Sequence, residues 1–169
     1  PREVGAGSDV LIKCHAPGPL ERELVRPGGA VMGFLHLANA KASPLRAALR
    51  ANRCTAIALE LLADDDGSRP VLEAVSAIGG RVAILMAAQH MLAGGGGLGR
   101  LLGGAPGVPP LRVAVVGAGA AGEAAAREAH RLGAQVTVLD EDANALRRID
   151  RRIDGIVTAM ASGAYLDRA

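Results

Sequence analysis

Residues 113–116 read Val-Ala-Val-Val, and Gly117-Ala-Gly119-Ala-Ala-Gly122 follows without a break. The apolar run predicts a buried strand, and three glycines at this spacing predict a tight turn opening a helix. A second apolar run, Val136-Thr-Val-Leu, then ends in Asp140. A strand before the glycines, a helix after them and an acidic residue about 20 positions on make up a dinucleotide-binding βαβ unit. Each glycine has its own reason. Gly117 permits the turn, Gly119 lets the main chain approach a pyrophosphate, and Gly122 lets helix and strand pack closely. The pyrophosphate would rest on the unpaired N–H groups at the helix start. Asp140 would accept hydrogen bonds from the ribose hydroxyls. A carboxylate there repels a 2′-phosphate, so NAD is favoured over NADP.

The rest of the chain extends the same alternation. Val10-Leu-Ile12, Ala30–Leu37 and Thr55–Leu62 read as strands, with Pro44–Asn52 as a helix between the last two. Pro44 suits a first helical turn. Val71–Leu92 reads as one long helix, weakened at Gly79-Gly80. Gly94–Pro110 holds eight glycines and three prolines and reads as a flexible or functional connector between two α/β units. Beyond it, Gly122–Leu132 and Ala143–Arg152 are predicted helices, and Val113–Val116, Val136–Leu139 and Ile156–Ala159 predicted strands. Uninterrupted apolar strands predict parallel sheets covered on both faces. The fold class is therefore α/β: a Rossmann-type parallel sheet that binds a dinucleotide, plus part of a second α/β domain. The expected division is 1–92 ending in the long helix, 93–110 as connector, and 111–169.

Composition excludes several other functions. Phe34 and Tyr165 are the only aromatics in 169 residues, which leaves no stacking platform for single-stranded nucleic acid. The net charge of +2 comes from 19 basic and 17 acidic residues without a basic tract, so no nucleic-acid partner is expected. No run of 18 apolar residues lacks polar breaks, so no membrane span is expected. Cys14 and Cys54 have no metal-type spacing and read as two free buried thiols in a reducing compartment. No metal site is expected.

The chain also resembles the family of alanine dehydrogenases and nicotinamide-nucleotide transhydrogenase α-subunits. The resemblance rests on Asp9-Val-Leu-Ile-Lys13, Arg26-Pro-Gly28, Gly33-Phe-Leu-His-Leu-Ala38 and Thr55-Ala-Ile-Ala-Leu-Glu60. It continues through Gly94–Gly104, Pro106-Gly-Val-Pro109 and the dinucleotide loop. It implies that residues 1–92 belong to a substrate domain and 111–169 to the NAD domain. It further implies a cytoplasmic, oligomeric enzyme that oxidatively deaminates L-alanine to pyruvate and ammonia, with hydride passing to NAD. The resemblance assigns His36 to the substrate pocket, where a neutral imidazole exchanges a proton near neutral pH. Without the resemblance, a lone His at a strand end is more often structural. Ser76 aligns with a cofactor-contacting Ser, the alternative being a helix-surface residue. Glu60 lies either near the cleft or in a structural ion pair.

The pattern departs from the family at three places. Lys13-Cys14-His15-Ala16-Pro17 stands where the family has Lys-Val-Lys-Glu-Pro, so His15 takes the position of a substrate-binding Lys. A His there donates one hydrogen bond to a carboxylate or carbonyl. The family's segment with a carboxylate-clamping Arg precedes the region matched, and its Asp beside the nicotinamide follows it. The chain is thus expected to be the middle of a longer protein. Two other readings remain open. One is a transhydrogenase-type NAD(H)-binding module, which His15-Ala16-Pro17 also suits; the other is a catalytically degenerate NAD-binding protein.

Overall fold

The computed structural model describes residues 7–162. These divide between two compact units, Pro1–Leu72 and Glu73–Ala169. In the first unit, β1 (Val10–His15), β2 (Ala30–Phe34) and β3 (Thr55–Ala58) form a parallel sheet in that order. Parallel neighbours need a crossover. Between β2 and β3 it is α1 (Ser43–Ala51), with Pro in its first turn. Leu45 and Leu49, four residues apart and so on one helix face, bury against Val31 and Leu35. This packing covers one face of the sheet. On the other, Ile12 stays 68% exposed, so the expected covering of both faces is not met among the described residues. The register of β1 on β2 shifts between Ile12 and His15, which brings His15 opposite Phe34 at the strand ends. A bulge of this kind re-aims the side chains that follow it.

Two strands are shorter than their apolar runs. Ala30–Leu37 leaves the sheet after Phe34, and Thr55–Leu62 leaves after Ala58, turning into a short 3-10 segment at Leu59–Leu61. One interaction accounts for both endings. Glu60, on that segment, captures the backbone amides of Leu35 and His36.

The second unit contains nearly all of α2 (Pro70–Met91) and then β4 (Arg112–Val116), α3 (Ala120–Arg131), β5 (Gln135–Asp140), α4 (Ala143–Asp150) and β6 (Val157–Met160). Its sheet is parallel, in the order β4-β5-β6. The core joins Val115, Val136 and Val138 of the sheet to Ala125, Ala126 and Ala129 of α3, Leu146 and Ile149 of α4, and Ile84 of α2. Alanines on α3 let the helix approach the sheet closely.

Helix α2 runs without interruption through Gly79-Gly80. A Cβ at Gly80 would stand 2.1 Å from the carbonyl oxygen of Ala121, so the expected weak point is where two helix backbones touch. The expected boundary at 93–110 falls inside the second unit. Leu102 is buried in its core, and the amide of Leu111 donates to the carbonyl of Leu102 at 2.8 Å. The glycine-rich segment is therefore folded onto this unit and is not a free linker. By length and composition alone α2 is also long and apolar enough to cross a membrane, with mean hydropathy 1.7 over its most apolar window. Its contact through Gly80 with α3 is that of a layer helix in an α/β unit. Of the two cysteines, both free, Cys14 is exposed and Cys54 partly buried, so the expectation of two buried thiols fails.

Candidate functional site

Gly117 sits at φ +106, a conformation that disfavours any residue with a Cβ, and donates its N–H to Leu139 O at 2.7 Å. The turn out of β4 is thereby tied to the neighbouring strand. Helix α3 starts at an N-cap, Gly119, that carries no side-chain cap, so its first-turn amides are not claimed by a capping side chain. No atom lies within 4 Å of where a Cβ on Gly119 would be. At Gly122 the position is reversed: a Cβ would stand 1.8 Å from Gly117 O. Asp140, at the end of β5, is held by the same loop. Its Oδ2 accepts the Ala118 N–H at 2.5 Å and its Oδ1 the Asp142 N–H at 2.7 Å. These two amides, Ala118 first, hold the carboxyl below the usual carboxylate range. Each oxygen keeps a second lone pair for a ligand hydroxyl. An open approach at Gly119, uncapped amides and a fixed carboxylate together fit a dinucleotide.

Ser76 lies one turn before Gly80 on α2, on the helix face that meets the start of α3. It is partly buried. Sequence reading gave no reason to value Gly80, because a glycine inside a helix signals a contact only once the neighbouring backbone is known.

The first unit gathers a different kind of site. His36 follows β2 with φ +47, one of two non-glycine residues at positive φ among those described. Its amide donates to Glu60 Oε1 at 2.6 Å, and that of Leu35 to Oε2 at 3.2 Å. Glu60 is 8% exposed, the one buried charged residue among those described. It is bonded to amides, so the ion pair considered from sequence is not its role. A left-handed His costs on the order of 1–3 kcal/mol and persists only when its surroundings fix it. The Glu60 carboxylate supplies that fixing. The imidazole meets the Phe34 ring at 6.2 Å between centroids.

His36 and Asn39 wall two cavities. One, of about 220 Å³, is completed by Leu37, Ala38, Glu60 and Leu61. The other, of about 190 Å³, is bounded by Ala16, Pro17, Leu35, Leu45 and the cations Arg22 and Lys41. His15 shares the C-terminal edge of the sheet with His36, which is where ligands bind in open parallel sheets. It does not line either cavity. Lys13 is ion-paired with Glu21, and that ammonium, together with the Gly18 amide, holds the Glu21 carboxyl below the usual carboxylate range. Arg22 and Lys41 had no distinguishing sequence pattern. Among the described residues, no cluster of His, Cys, Asp and Glu could hold a metal ion.

Comparison with known proteins agrees with this architecture. Residues 1–79 match the model for the N-terminal domain of alanine dehydrogenase/PNT, and residues 83–167 the model for its C-terminal domain. The chain is 39% identical to an alanine dehydrogenase of Mycolicibacterium smegmatis over 99% of its length and 45% of the relative's. It is 40% identical to one of Mycobacterium tuberculosis over 96% of its length and 43% of the relative's. It therefore spans less than half the length of these relatives. A solved L-alanine dehydrogenase superposes with a TM-score of 0.85 at 31% identity, covering 96% of this chain and 45% of that one. A transhydrogenase from Sinorhizobium meliloti superposes with a TM-score of 0.73 at 24% identity, covering 99% of this chain and 47% of that one; this is a likeness of fold.

Proposed function

The chain belongs to the alanine dehydrogenase/PNT family, and on that premise we propose that the complete protein is an NAD-dependent alanine dehydrogenase. Its reaction is the reversible oxidative deamination of L-alanine to pyruvate and ammonia. The observation that carries this reading is identity of about 40% with curated alanine dehydrogenases along nearly the whole chain. The first unit, Pro1–Leu72, contributes to the substrate domain and the second, Glu73–Ala169, to the dinucleotide-binding domain.

Bound NAD supplies the hydride acceptor. Gly117, Gly119 and Gly122 shape the main chain that receives its pyrophosphate, and the amides opening α3 donate to it. Asp140 accepts from the ribose hydroxyls and repels a 2′-phosphate. Ser76, facing the start of α3, adds a hydroxyl to the same site. In the first unit His36 exchanges a proton with the substrate or its attacking water, its imidazole positioned by Glu60 through the main chain. His15, at the same sheet edge, donates a hydrogen bond from the rim. We place the enzyme in the cytoplasm as a homo-oligomer. The exposed Val75, Ile78, Val82, Leu85 and Met86 of α2 support burial of that helix against a further surface.

The test is alanine-dependent NADH formation at alkaline pH by the complete protein. Tight NADH binding without turnover of alanine overturns the reading. A second reading, an NAD(H)-binding module that passes hydride to a membrane partner, draws on His15-Ala16-Pro17. It predicts hydride transfer only when that partner is present.

A further inference from the structure

We propose that Arg46, Arg50 and Arg53 form a binding site for a phosphate group carried on a small organic ligand. The inference stands apart from the dehydrogenase reading. Arg46 and Arg50 are four residues apart on α1, so their side chains share one helix face. Arg53 follows the helix end. The three line a cavity of about 280 Å³ in the first unit, and no acidic side chain lines it with them. Leu37, Leu49 and Ala56 form its apolar wall.

This arrangement works against local stability. Like charges at this helical spacing repel. Arg53 is held at φ +51, in the left-handed region. Its amide donates to Arg50 O at 3.1 Å, and the Cys54 amide donates to Leu49 O at 2.9 Å. That pair of bonds ends a helix on a residue that is most often glycine. Glycine would make both bonds without strain. The helix dipole favours a cation in the last turn, which accounts for Arg50 alone. Arg26, Arg127 and Arg152 are ion-paired with Asp9 or Glu123, but neither Arg50 nor Arg53 has an acidic partner among the described residues. Repulsion and strain gathered at one cavity point to a ligand that offsets them.

The lining indicates the chemistry of that ligand. Arg46 is oriented by the main chain: its Nη1 donates to the carbonyls of Leu37 and Asn39. Both bonds use Nη1, so Nη2 and Nε keep their hydrogens for a ligand. Three guanidiniums outweigh the half negative charge of the helix end. A carboxylate brings one charge and two oxygens. A phosphate monoester brings close to two charges and three oxygens, and guanidinium forks match it. At roughly 30 Å³ for a water-sized group, the space holds about nine heavy atoms. A phosphate takes about half of that, and a short organic group on it meets the apolar wall.

Titration calorimetry on the complete protein, at about pH 8, compares n-butyl phosphate with n-butyl sulfate and with inorganic phosphate. Wild type is expected to bind butyl phosphate about tenfold more tightly than either, since the sulfate ester lacks the second charge and inorganic phosphate lacks the tail. Arg53→Gly should weaken binding about tenfold, the loss of one bond to a charged group. Its melting midpoint should hold or rise, because glycine suits that conformation. Lost affinity then cannot be laid to a lost fold. Adding Arg50→Gln should bring the loss to about 100-fold. Arg131→Gln, which removes an exposed arginine from the second unit, should change affinity less than about twofold. Failure of wild type to bind butyl phosphate overturns the site, as does affinity that Arg53→Gly leaves unmoved. An equal loss in Arg131→Gln also overturns it, since that marks general surface charge. Butyl sulfate or inorganic phosphate matching butyl phosphate overturns the assignment of the ligand. Alanine turnover enters none of these readouts, so the dehydrogenase reading can fail without touching this one.

Discussion

In the second unit, the groups that would meet a ligand are largely main chain. The turn at Gly117, the open approach at Gly119 and the first-turn amides of α3 owe their geometry to what is missing, a Cβ, and only Asp140 and Ser76 contribute side chains. In the first unit, everything depends on side chains that different segments bring together: His36 after β2, Glu60 after β3, Arg22 before β2 and Lys41 before α1. The two constructions should fail differently. A main-chain site is destroyed by adding atoms, whereas a side-chain site is destroyed by removing them.

Gly122→Val is the sharpest way to break that contrast. A Cβ would already stand 1.8 Å from Gly117 O, so the helix must leave the turn. Loss of measurable NADH binding by fluorescence titration is expected, together with a lower melting midpoint. Retained affinity would show that the turn is not what holds the cofactor. His36→Ala should lower kcat by about 10²–10⁴-fold, the usual worth of a positioned proton-transfer group, with NADH affinity unchanged. His36→Asn refines this result, since Asn tolerates positive φ; it should keep the fold and still lose turnover.

Glu60→Ala leaves the amides of Leu35 and His36 without their carboxylate. It should destabilise the chain by about 2–3 kcal/mol, read as a lower urea midpoint at constant slope. Little change would mean that His36 holds its left-handed conformation without help. Asp140→Asn should relax the preference for NAD over NADP by about tenfold in kcat/KM, because the charge that repels a 2′-phosphate is gone. The smallest effect expected is acid sensitivity. The Asp140 carboxyl is held below its ordinary value, so the stability its two amide bonds contribute is full above that ordinary value. It is lost as pH falls through the lowered one. Melting midpoints between neutral and strongly acidic pH should show a step in wild type that Asp140→Asn lacks.

This difference in construction also decides how much could be read in advance. The segment from Val113 to Asp140 was legible because glycine spacing and apolar runs encode a local geometry directly. The strands of the first unit were located, but Ala30–Leu37 and Thr55–Leu62 were overextended, since an apolar run does not distinguish a strand from the buried turn that follows it. What ends both is a carboxylate bonded to an amide 24 residues away, and no local pattern announces such a bond. The boundary between units was misplaced because glycine content was read as freedom, while Leu102 anchors that segment in a core.

The two amides on Asp140 have a further consequence. They fix a negative charge in place before any ligand arrives, so on the proposed NAD reading the rejection of a 2′-phosphate would act partly as a through-space field. Such a field is diluted by mobile ions: the Debye length is about 8 Å at physiological ionic strength and about 3 Å at 1 M. Discrimination between the two nicotinamide cofactors should therefore soften as salt rises, while affinity for the unphosphorylated one barely moves. On that reading, cofactor choice would be set jointly by the polypeptide and by the ions dissolved around it.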